Sequence, residues 1–142
     1  MNNILDIEHD IKQYSTLTLA YIGDSVYELM MREYLLSGGN CRPAKLHEKA
    51  IKMVNASAQA KAVLVIMDKL TENEISIFKR GKNAHPKHVA KSATISEYHM
   101  ATGFETLWGY IYLCKNIKRL NELFNIICTE FLSLKDDNIE EK

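Results

Sequence analysis

The chain has 142 residues, of which 46% are hydrophobic and 25% are charged, and its formal net charge is zero. This is the composition of an ordinary globular protein, and the length is enough to bury a core within one domain. Two prolines and six glycines are too few for an all-β or linker-rich chain, and no apolar run approaches the roughly 20 residues that span a bilayer. Because the net charge is zero, a partner has to be inferred from where the charges lie.

The N-terminus and the cysteines bear on the cellular compartment. The first ten residues carry three acids and no lysine or arginine, whereas a secretory signal peptide starts with a basic segment followed by an apolar one. Cys41, Cys114 and Cys128 are odd in number and lack C-x-x-C spacing, which is typical of reduced, mostly buried thiols. We therefore expect a cytoplasmic protein with no membrane partner.

The chain is predicted to be helical throughout, since no segment alternates long enough to require a strand. In chain order, the expected helices cover residues 4–13, 15–37, 43–53, 56–69, 71–81, 94–115 and 117–131. Residues 82–93 include Pro86 and are expected to form a loop. The predicted fold is all-α, a single domain over residues 1–142 with its core at about 15–134 and an acidic, frayed tail over 135–142.

Residues with known preferences for helix ends mark these boundaries. They are N-cap residues, two capping boxes, a proline at a first helical position and a glycine pair that ends a helix. In chain order these are Ser15 or Thr16, Gly38 with Gly39, Pro43, Asn55, Thr71 with Glu74, and Thr94 with Glu97.

The helix over 94–115 places a carboxylate where a charge is disfavoured. Glu105 is the only formally charged residue between Glu97 and Lys115, and the apolar residues around it point in nearly every direction, as in a buried central helix. Gly103 and Gly109 flank Glu105. An interior glycine costs about 1 kcal/mol against alanine, and its usual purpose is close approach of another backbone or a ligand.

The helix over 15–37 repeats this pattern. Gly23 directly precedes Asp24, a poor helix-interior residue, and Glu28 lies one turn further on the same face. Because charged side chains are seldom buried unless paired or bound to metal, the two helices could cross with Asp24 and Glu105 converging. The pattern leaves open that a buried hydroxyl, arginine or lysine satisfies each carboxylate, and that the glycines serve packing alone.

The residues around both carboxylates resemble two motifs of the ribonuclease III family. Tyr21-Ile22-Gly23-Asp24-Ser25-Val26 is similar to the family signature, roughly Phe-Leu-Gly-Asp-Ala/Ser-Val/Ile. Phe104-Glu105-Thr106-Leu107-Trp108-Gly109 resembles the second acidic motif, close to Val/Phe-Glu-Ala-Leu-Ile/Leu-Gly. Order and spacing agree, and no double-stranded-RNA-binding domain is expected after the catalytic one. With the segments 80–84 and 101–105, the chain is most similar to the Mini-ribonuclease III branch, over about residues 17–132.

The resemblance implies an all-helical endonuclease that works as a homodimer and holds duplex RNA in a valley, with one site per subunit. It implies Mg²⁺, products with 5′-phosphate and 3′-hydroxyl ends, and catalytic, metal-binding roles for Asp24 and Glu105. For the Mini-III branch it implies maturation of the large-subunit (23S) ribosomal RNA precursor, with a ribosomal protein on that substrate as an open question. The expected interface surrounds the signature helix, where Tyr21, Val26 and Met30 are apolar candidates.

The chain also departs from the full-length enzymes. Ala20 and Thr102 occupy two further acidic positions of that family, and Leu17 stands where the larger enzymes have another Glu; similar losses are typical of the Mini-III branch. We expect Glu28 and Thr102 to lie beside the site and support it, and whether Glu28 binds the metal directly stays open. Since Mg²⁺ takes about six oxygens, two carboxylates would hold it weakly until RNA phosphates complete its shell.

A basic stretch is the expected RNA contact. No acid lies between Ile75 and Ser96, and such a patch is typical of a surface that faces phosphates. Asn83 could donate to a 2′-hydroxyl, and two histidines around Pro86 lack a third ligand for zinc. The predicted RNA-binding residues are Lys79, Arg80, Lys82, Asn83, Lys87 and Lys91. The alternative for this stretch is a solvated basic loop.

Two other classes of function stay open at this point. One is a non-catalytic module that kept the fold and binds double-stranded RNA or the ribosome, which the missing acids would suit. The other is a plain helical dimer in which Asp24 and Glu105 are structural. Mg²⁺-dependent cleavage excludes the first, and affinity for RNA at low salt excludes the second.

Overall fold

The computed structural model describes residues 7–39, 41–84 and 94–139, with side chains described as far as Phe131. These residues form helices and connecting turns and no strand, so the predicted all-α fold is confirmed. The helices are α1 (Thr16–Leu36), α2 (Pro43–Val54), α3 (Ala56–Ile66), α4 (Glu72–Lys82), α5 (Ile95–Leu113) and α6 (Ile117–Ile139). Short 3₁₀ turns at Ile11–Gln13 and Met67–Lys69 precede α1 and follow α3.

The predicted caps are present. The Ser15 hydroxyl and the Asn55 side-chain oxygen each accept a hydrogen bond from the backbone N–H three residues further on, which starts α1 and α3. Capping boxes over 71–74 and 94–97 start α4 and α5, with both reciprocal bonds formed in each. Local sequence therefore fixes where four helices begin, since each cap satisfies N–H groups that the helix cannot bond itself.

Both ends of the chain differ from the prediction. Residues 7–10 are not helical, so the helix expected over 4–13 is wrong over its described part, which ends in the single turn Ile11–Gln13. That turn buries no residue and Asp10 makes no side-chain cap, and a short helix without tertiary packing is marginal. At the other end α6 continues to Ile139, beyond the expected helix over 117–131.

Helix α5 is the centre of the fold and packs against α1, α3, α4 and α6. Phe104 and Trp108 of α5 are fully buried and meet Tyr27 of α1 edge-on, with ring centroids 4.8 Å and 5.3 Å apart. The ring centroid of Phe124 of α6 lies 5.9 Å from that of Tyr27. This aromatic cluster joins three helices around the segment that carries Glu105, and it confirms the prediction of a buried central helix.

The crossing of α1 and α5 requires glycine on both helices. A Cβ atom on Gly23 would overlap the carbonyl oxygen of Glu105 and lie 2.7 Å from the backbone nitrogen of Gly109. A Cβ atom on Gly109 would overlap the carbonyl oxygen of Leu19 and lie 2.9 Å from Cγ2 of Ile22. The close backbone approach suggested by these glycines is therefore confirmed.

A second pair of glycines brings α4 against another face of α5. A Cβ atom on Gly103 would lie 2.7 Å from Cε1 of Phe78, and one on Gly81 would lie 2.6 Å from Cβ of Thr106. Gly103 and Thr106 thus face α4, whereas Glu105 and Gly109 face α1. The two glycine contacts hold the central helix between α1 and α4.

An ion pair ties α6 to the start of α4. The guanidinium of Arg119 donates to both carboxylate oxygens of Glu74, at 2.9 Å and 2.7 Å, and to the carbonyl oxygen of Lys69 at 2.7 Å. Glu74 is 7% exposed and also accepts the Thr71 backbone N–H of its capping box at 2.9 Å. A buried carboxylate is tolerated here because its oxygens are bonded on both sides.

The cysteines are free thiols in three different environments: Cys128 is buried, Cys41 is partly exposed and Cys114 is exposed. The expectation of mostly buried thiols is therefore met fully by Cys128 alone.

Within the part of the chain that the structure describes, no single helix has the length and apolar character to cross a membrane. The helix pair over 43–54 and 56–69 satisfies that length and composition test only when taken together, and it is bent by 56°.

Candidate active site

The crossing of α1 and α5 brings Asp24 and Glu105 together, with their carboxyl groups within hydrogen-bonding reach of each other. Burial, followed by the hydrogen bond with Asp24 and the charge of Asp24, raises the pKa of Glu105 from its usual 4.5 to about 9. At neutral pH and without a cation, the protonated form of Glu105 is therefore favoured. Shifts of this size and cause are frequent at functional sites.

The two carboxylates differ in exposure. Glu105 is partly buried, while Asp24 and its neighbour Ser25 are exposed on the outer face of α1. The expectation of a disfavoured carboxylate in both helices thus holds for Glu105 but is wrong for Asp24. The reason is the helix geometry. Gly23 faces α5 at the crossing, so Asp24, the next residue, is turned by about 100° around the helix axis towards solvent.

The donor set fits a hard divalent cation. Carboxylate oxygens are the ligands that Mg²⁺ prefers, and a cation between the two groups would offset the repulsion that keeps Glu105 protonated. Among residues 7–39, 41–84 and 94–131, no cluster of three or more His, Cys, Asp or Glu side chains could hold a metal ion. Among these described residues the site has two carboxylates, and further ligands such as water or substrate oxygens would complete the shell of a cation.

Gln59 of α3 belongs to this site and was not predicted. It is 2% exposed, its Nε2 donates to the carbonyl oxygen of Val54 at 3.1 Å, and its side chain also hydrogen-bonds to Glu105 and lowers the pKa of that carboxyl group. The sequence around it, Ala-Ser-Ala-Gln-Ala-Lys over residues 56–61, mixes polar and small residues and gives no local signal of this role. A polar residue on a core-facing helix surface needs a partner, and here Glu105 is one.

Glu28 and Thr102 lie near the pair but bond elsewhere. The Glu28 carboxylate accepts from Nη2 of Arg32 at 2.7 Å, one helical turn further from Asp24. The Thr102 hydroxyl donates its one proton to the carbonyl oxygen of Tyr98 at 3.0 Å, within α5. Both contacts stabilise the helices that carry the site, and a supporting role towards the carboxylates stays a prediction.

The described part of the basic stretch lies at the end of α4. Lys79, Arg80, Lys82 and Asn83 are all exposed there. Lys82 and Asn83 line an open groove together with Ser96 and His99 at the start of α5. Neither Ser96 nor His99 was predicted from the sequence to contact RNA. Lys87 and Lys91 lie outside the described residues.

The basic end of α4 and the carboxylate pair lie on different faces of α5. Gly81, between the exposed cations, packs on Gly103 and Thr106, while Glu105 faces α1. The structure thus does not bring these cations into contact with the carboxylates. A partner that engages both would have to be wider than the central helix.

Comparison with known proteins agrees with both motifs. The ribonuclease III domain family matches residues 17–116. The Mini-ribonuclease 3 of Clostridium tetani is 45% identical over 121 residues, covering 84% of this chain and 80% of that protein. The Mini-ribonuclease 3 of Enterococcus faecalis is 44% identical over 118 residues, covering 82% of this chain and 89% of that protein.

A solved structure has a similar fold. The crystal structure of protein FN1578 from Fusobacterium nucleatum matches with a TM-score of 0.78 and 34% identity, covering 87% of this chain and 98% of that one. The family match includes both carboxylates and the helix crossing that joins them. The chain therefore belongs to the ribonuclease III family, in the branch of the Mini-ribonucleases 3.

Proposed function

We propose that this chain cuts duplex RNA with Mg²⁺ as its cofactor, and that Asp24 and Glu105 are the carboxylates that hold the metal. Membership in the ribonuclease III family makes it an endoribonuclease, and the family match supports a divalent metal. The main observation in favour of this site is that two carboxylates, 81 positions apart in the sequence, meet where their helices cross. Burial, together with the proximity of Asp24, raises the pKa of Glu105 to about 9, and a bound cation would offset the cost of charging this carboxyl group.

The residues suit metal-assisted hydrolysis. When bound, Mg²⁺ supplies Lewis acidity towards the phosphate and a bound water of lowered pKa. Asp24, at the solvent side, and Glu105, beneath it, would hold the ion through their carboxylates, which two different helices present. Glu105 has to release its proton to act as a ligand, so proton loss and metal binding are linked. Addition of water across the phosphodiester leaves a 5′-phosphate and a 3′-hydroxyl.

The RNA contact is proposed at the end of α4. Three exposed cations flank the buried Gly81, and exposed Asn83 follows them; the cations are Lys79, Arg80 and Lys82. Cations grouped in this way bind phosphates. A-form RNA is read chiefly through phosphates and 2′-hydroxyls, which a basic helix end and an amide can contact. Lys87 and Lys91 belong to the same proposal through their sequence position.

A homodimer of single-domain subunits is part of the proposal. Helix α1 exposes large apolar side chains around the signature motif, including Tyr21 at 79% and Leu29 at 58% exposed. Val26 and Met30 are partly buried and line a groove beside Leu29. Exposed apolar side chains on the helix that carries Asp24 support pairing of two copies there, which would place two sites on one duplex.

The proposed substrate in the cell is the precursor of the large-subunit (23S) ribosomal RNA, in the cytoplasm, with a ribosomal protein on the substrate as an additional partner to test. The test is incubation with long duplex RNA and with ribosomal precursor, with and without Mg²⁺, followed by mapping of the product ends. We expect Mg²⁺-dependent cuts on both strands, with 5′-phosphate ends. Binding without cleavage at any Mg²⁺ concentration would support the non-catalytic alternative.

A further inference from the structure

Gln59 is the most deeply buried polar side chain at the candidate site. It is 2% exposed and lies on α3, which packs against α5. Glutamine is seldom buried to this extent unless its amide is hydrogen-bonded. The partners of that amide therefore indicate what the side chain does.

One partner is the end of α2. Nε2 of Gln59 donates to the carbonyl oxygen of Val54 at 3.1 Å, and Val54 is the last residue of α2, where carbonyl groups lack partners within the helix. Because a carbonyl oxygen only accepts, this bond identifies the amide nitrogen and fixes the plane of the amide. Asn55 caps α3 by accepting from the Ala58 N–H at 2.8 Å, so the corner that holds the bond is itself fixed.

The other partner is Glu105. A side-chain amide has two N–H donors, and with one of them on Val54 the other is available to the Glu105 carboxylate, to which Gln59 is hydrogen-bonded. With both donors engaged, the amide links the end of α2 to the Glu105 side chain and so fixes where that carboxyl group lies.

We propose that Gln59 is a positioning residue that holds the Glu105 carboxylate in the orientation in which it binds the divalent cation together with Asp24. This inference rests on the proposed function, since it requires Glu105 to be a metal ligand. Gln59 acts through Glu105, and its anchor on Val54 makes the α2–α3 corner part of the site. Removal of such an outer partner typically lowers metal affinity about 10–100-fold.

The test compares two variants of α3. Gln59→Met keeps the length of the side chain and removes the donor, and methionine adapts well to packed cores. Val63→Ala is the matched control, because Val63 is fully buried one turn further along the same helix, in the hydrophobic core. Truncation there weakens packing without removing a hydrogen bond.

Three quantities are measured on each protein: the Mn²⁺ dissociation constant of the RNA-free protein by electron paramagnetic resonance, the Mg²⁺ concentration for half-maximal cleavage of duplex RNA, and the melting temperature. We expect Gln59→Met to raise the first two by about tenfold or more. We expect Val63→Ala to lower the melting temperature while both metal quantities stay at the wild-type values.

Two results would overturn the inference: wild-type metal quantities in Gln59→Met, or equal shifts in Gln59→Met and Val63→Ala, since equal shifts would reflect a loosened fold. If Gln59→Met does not fold, Gln59→Asn replaces it with the same expectation, because it keeps a buried amide that is one methylene too short to reach both partners. Failure of the proposed function would look different, since Glu105→Gln would then cleave with an unchanged Mg²⁺ requirement.

Discussion

Gly23 of α1 lies against the backbone carbonyl of Glu105 of α5 so closely that no side chain fits between them. This contact sets the distance between the two helices and, with it, the distance between Asp24 and Glu105. Gly23 therefore determines how closely the backbone of Glu105, as well as that of its neighbour Asp24, approaches the helix crossing. The aromatic cluster around Tyr27 lies one turn along α1 and holds the same crossing from the core side.

Gly23→Ala tests this contact. The added methyl group would overlap a carbonyl oxygen and lie 2.7 Å from the backbone nitrogen of Gly109, and backbone atoms cannot move aside as a flexible side chain can. We expect a loss of more than about 3 kcal/mol in the free energy of unfolding, measured by urea denaturation. The control is Gly38→Ala, where the nearest atom would be 3.4 Å away; equal stabilities of the two variants would contradict the account.

The pH dependence of stability should reveal the carboxylate pair. The pKa of Glu105 in the folded protein, about 9, is above its ordinary 4.5, so between these values the folded state binds more protons than the unfolded state. Stability then falls as the pH rises through this window. In EDTA, the melting temperature should drop several degrees more from pH 5.5 to 8.5 in wild type than in Glu105→Gln, which has no charge to bury. Parallel profiles would argue against the close pair.

The ion pair between Arg119 and Glu74 should matter for stability. Arg119→Met leaves a buried carboxylate without its partner and should cost about 3 kcal/mol at pH 7 by urea denaturation. Burial opposes the charge on Glu74, but the bonds from Arg119 and Thr71 outweigh it, and the pKa of Glu74 is lowered from its usual 4.5. This contribution is present above pH 4.5 and is lost as the pH falls through the lower folded value, so the difference from wild type should shrink in acid.

Arg32→Met is the matched control for that variant. Arg32 also pairs with a glutamate at 2.7 Å, but the side chains of Arg32 and Glu28 are 57% and 36% exposed. Solvent screens such a pair, and its loss should cost at most about 0.5 kcal/mol. Similar costs for Arg32→Met and Arg119→Met would contradict the interpretation that burial of Glu74 makes the difference.

RNA binding should depend on salt through the end of α4. Each phosphate contact releases counterions, so Lys82→Ala should reduce the slope of log affinity against log salt by about one and weaken binding equally for all duplex sequences. The affinity is measured in EDTA, where no cleavage occurs, over a range of salt concentrations. Lys118→Ala, at an exposed position of α6, is the control and should keep the wild-type slope; the same slope in Lys82→Ala would remove Lys82 from the interface.

The sequence allowed much of this to be predicted because the signals are local. Ser15, Asn55 and the two capping boxes mark helix starts through bonds within a few residues. Gly23 and Gly109 indicate a close approach because helix-interior glycines are costly. The site motifs also lie within single helices, so their order and spacing could be compared with a family directly.

The features that could not be predicted from the sequence depend on contacts between segments that are distant in the chain. Gln59 has no local signature, and only the packing of α3 on α5 places it beside Glu105. The exposure of Asp24 depends on which side of α1 meets α5. Over the described residues 7–13, a short turn stands in place of the expected helix because Ile11–Gln13 buries no residue.

The most direct test of the central claim is cleavage of long duplex RNA by Asp24→Asn and Glu105→Gln in Mg²⁺, with Glu28→Gln as the control on the same helix face. Both site variants replace a carboxylate by an amide of nearly equal size, so they should fold and bind RNA in EDTA as wild type does. The account predicts that both lose cleavage by at least about a thousandfold, while Glu28→Gln keeps most of it. Cleavage at the wild-type rate by either Asp24→Asn or Glu105→Gln would contradict it.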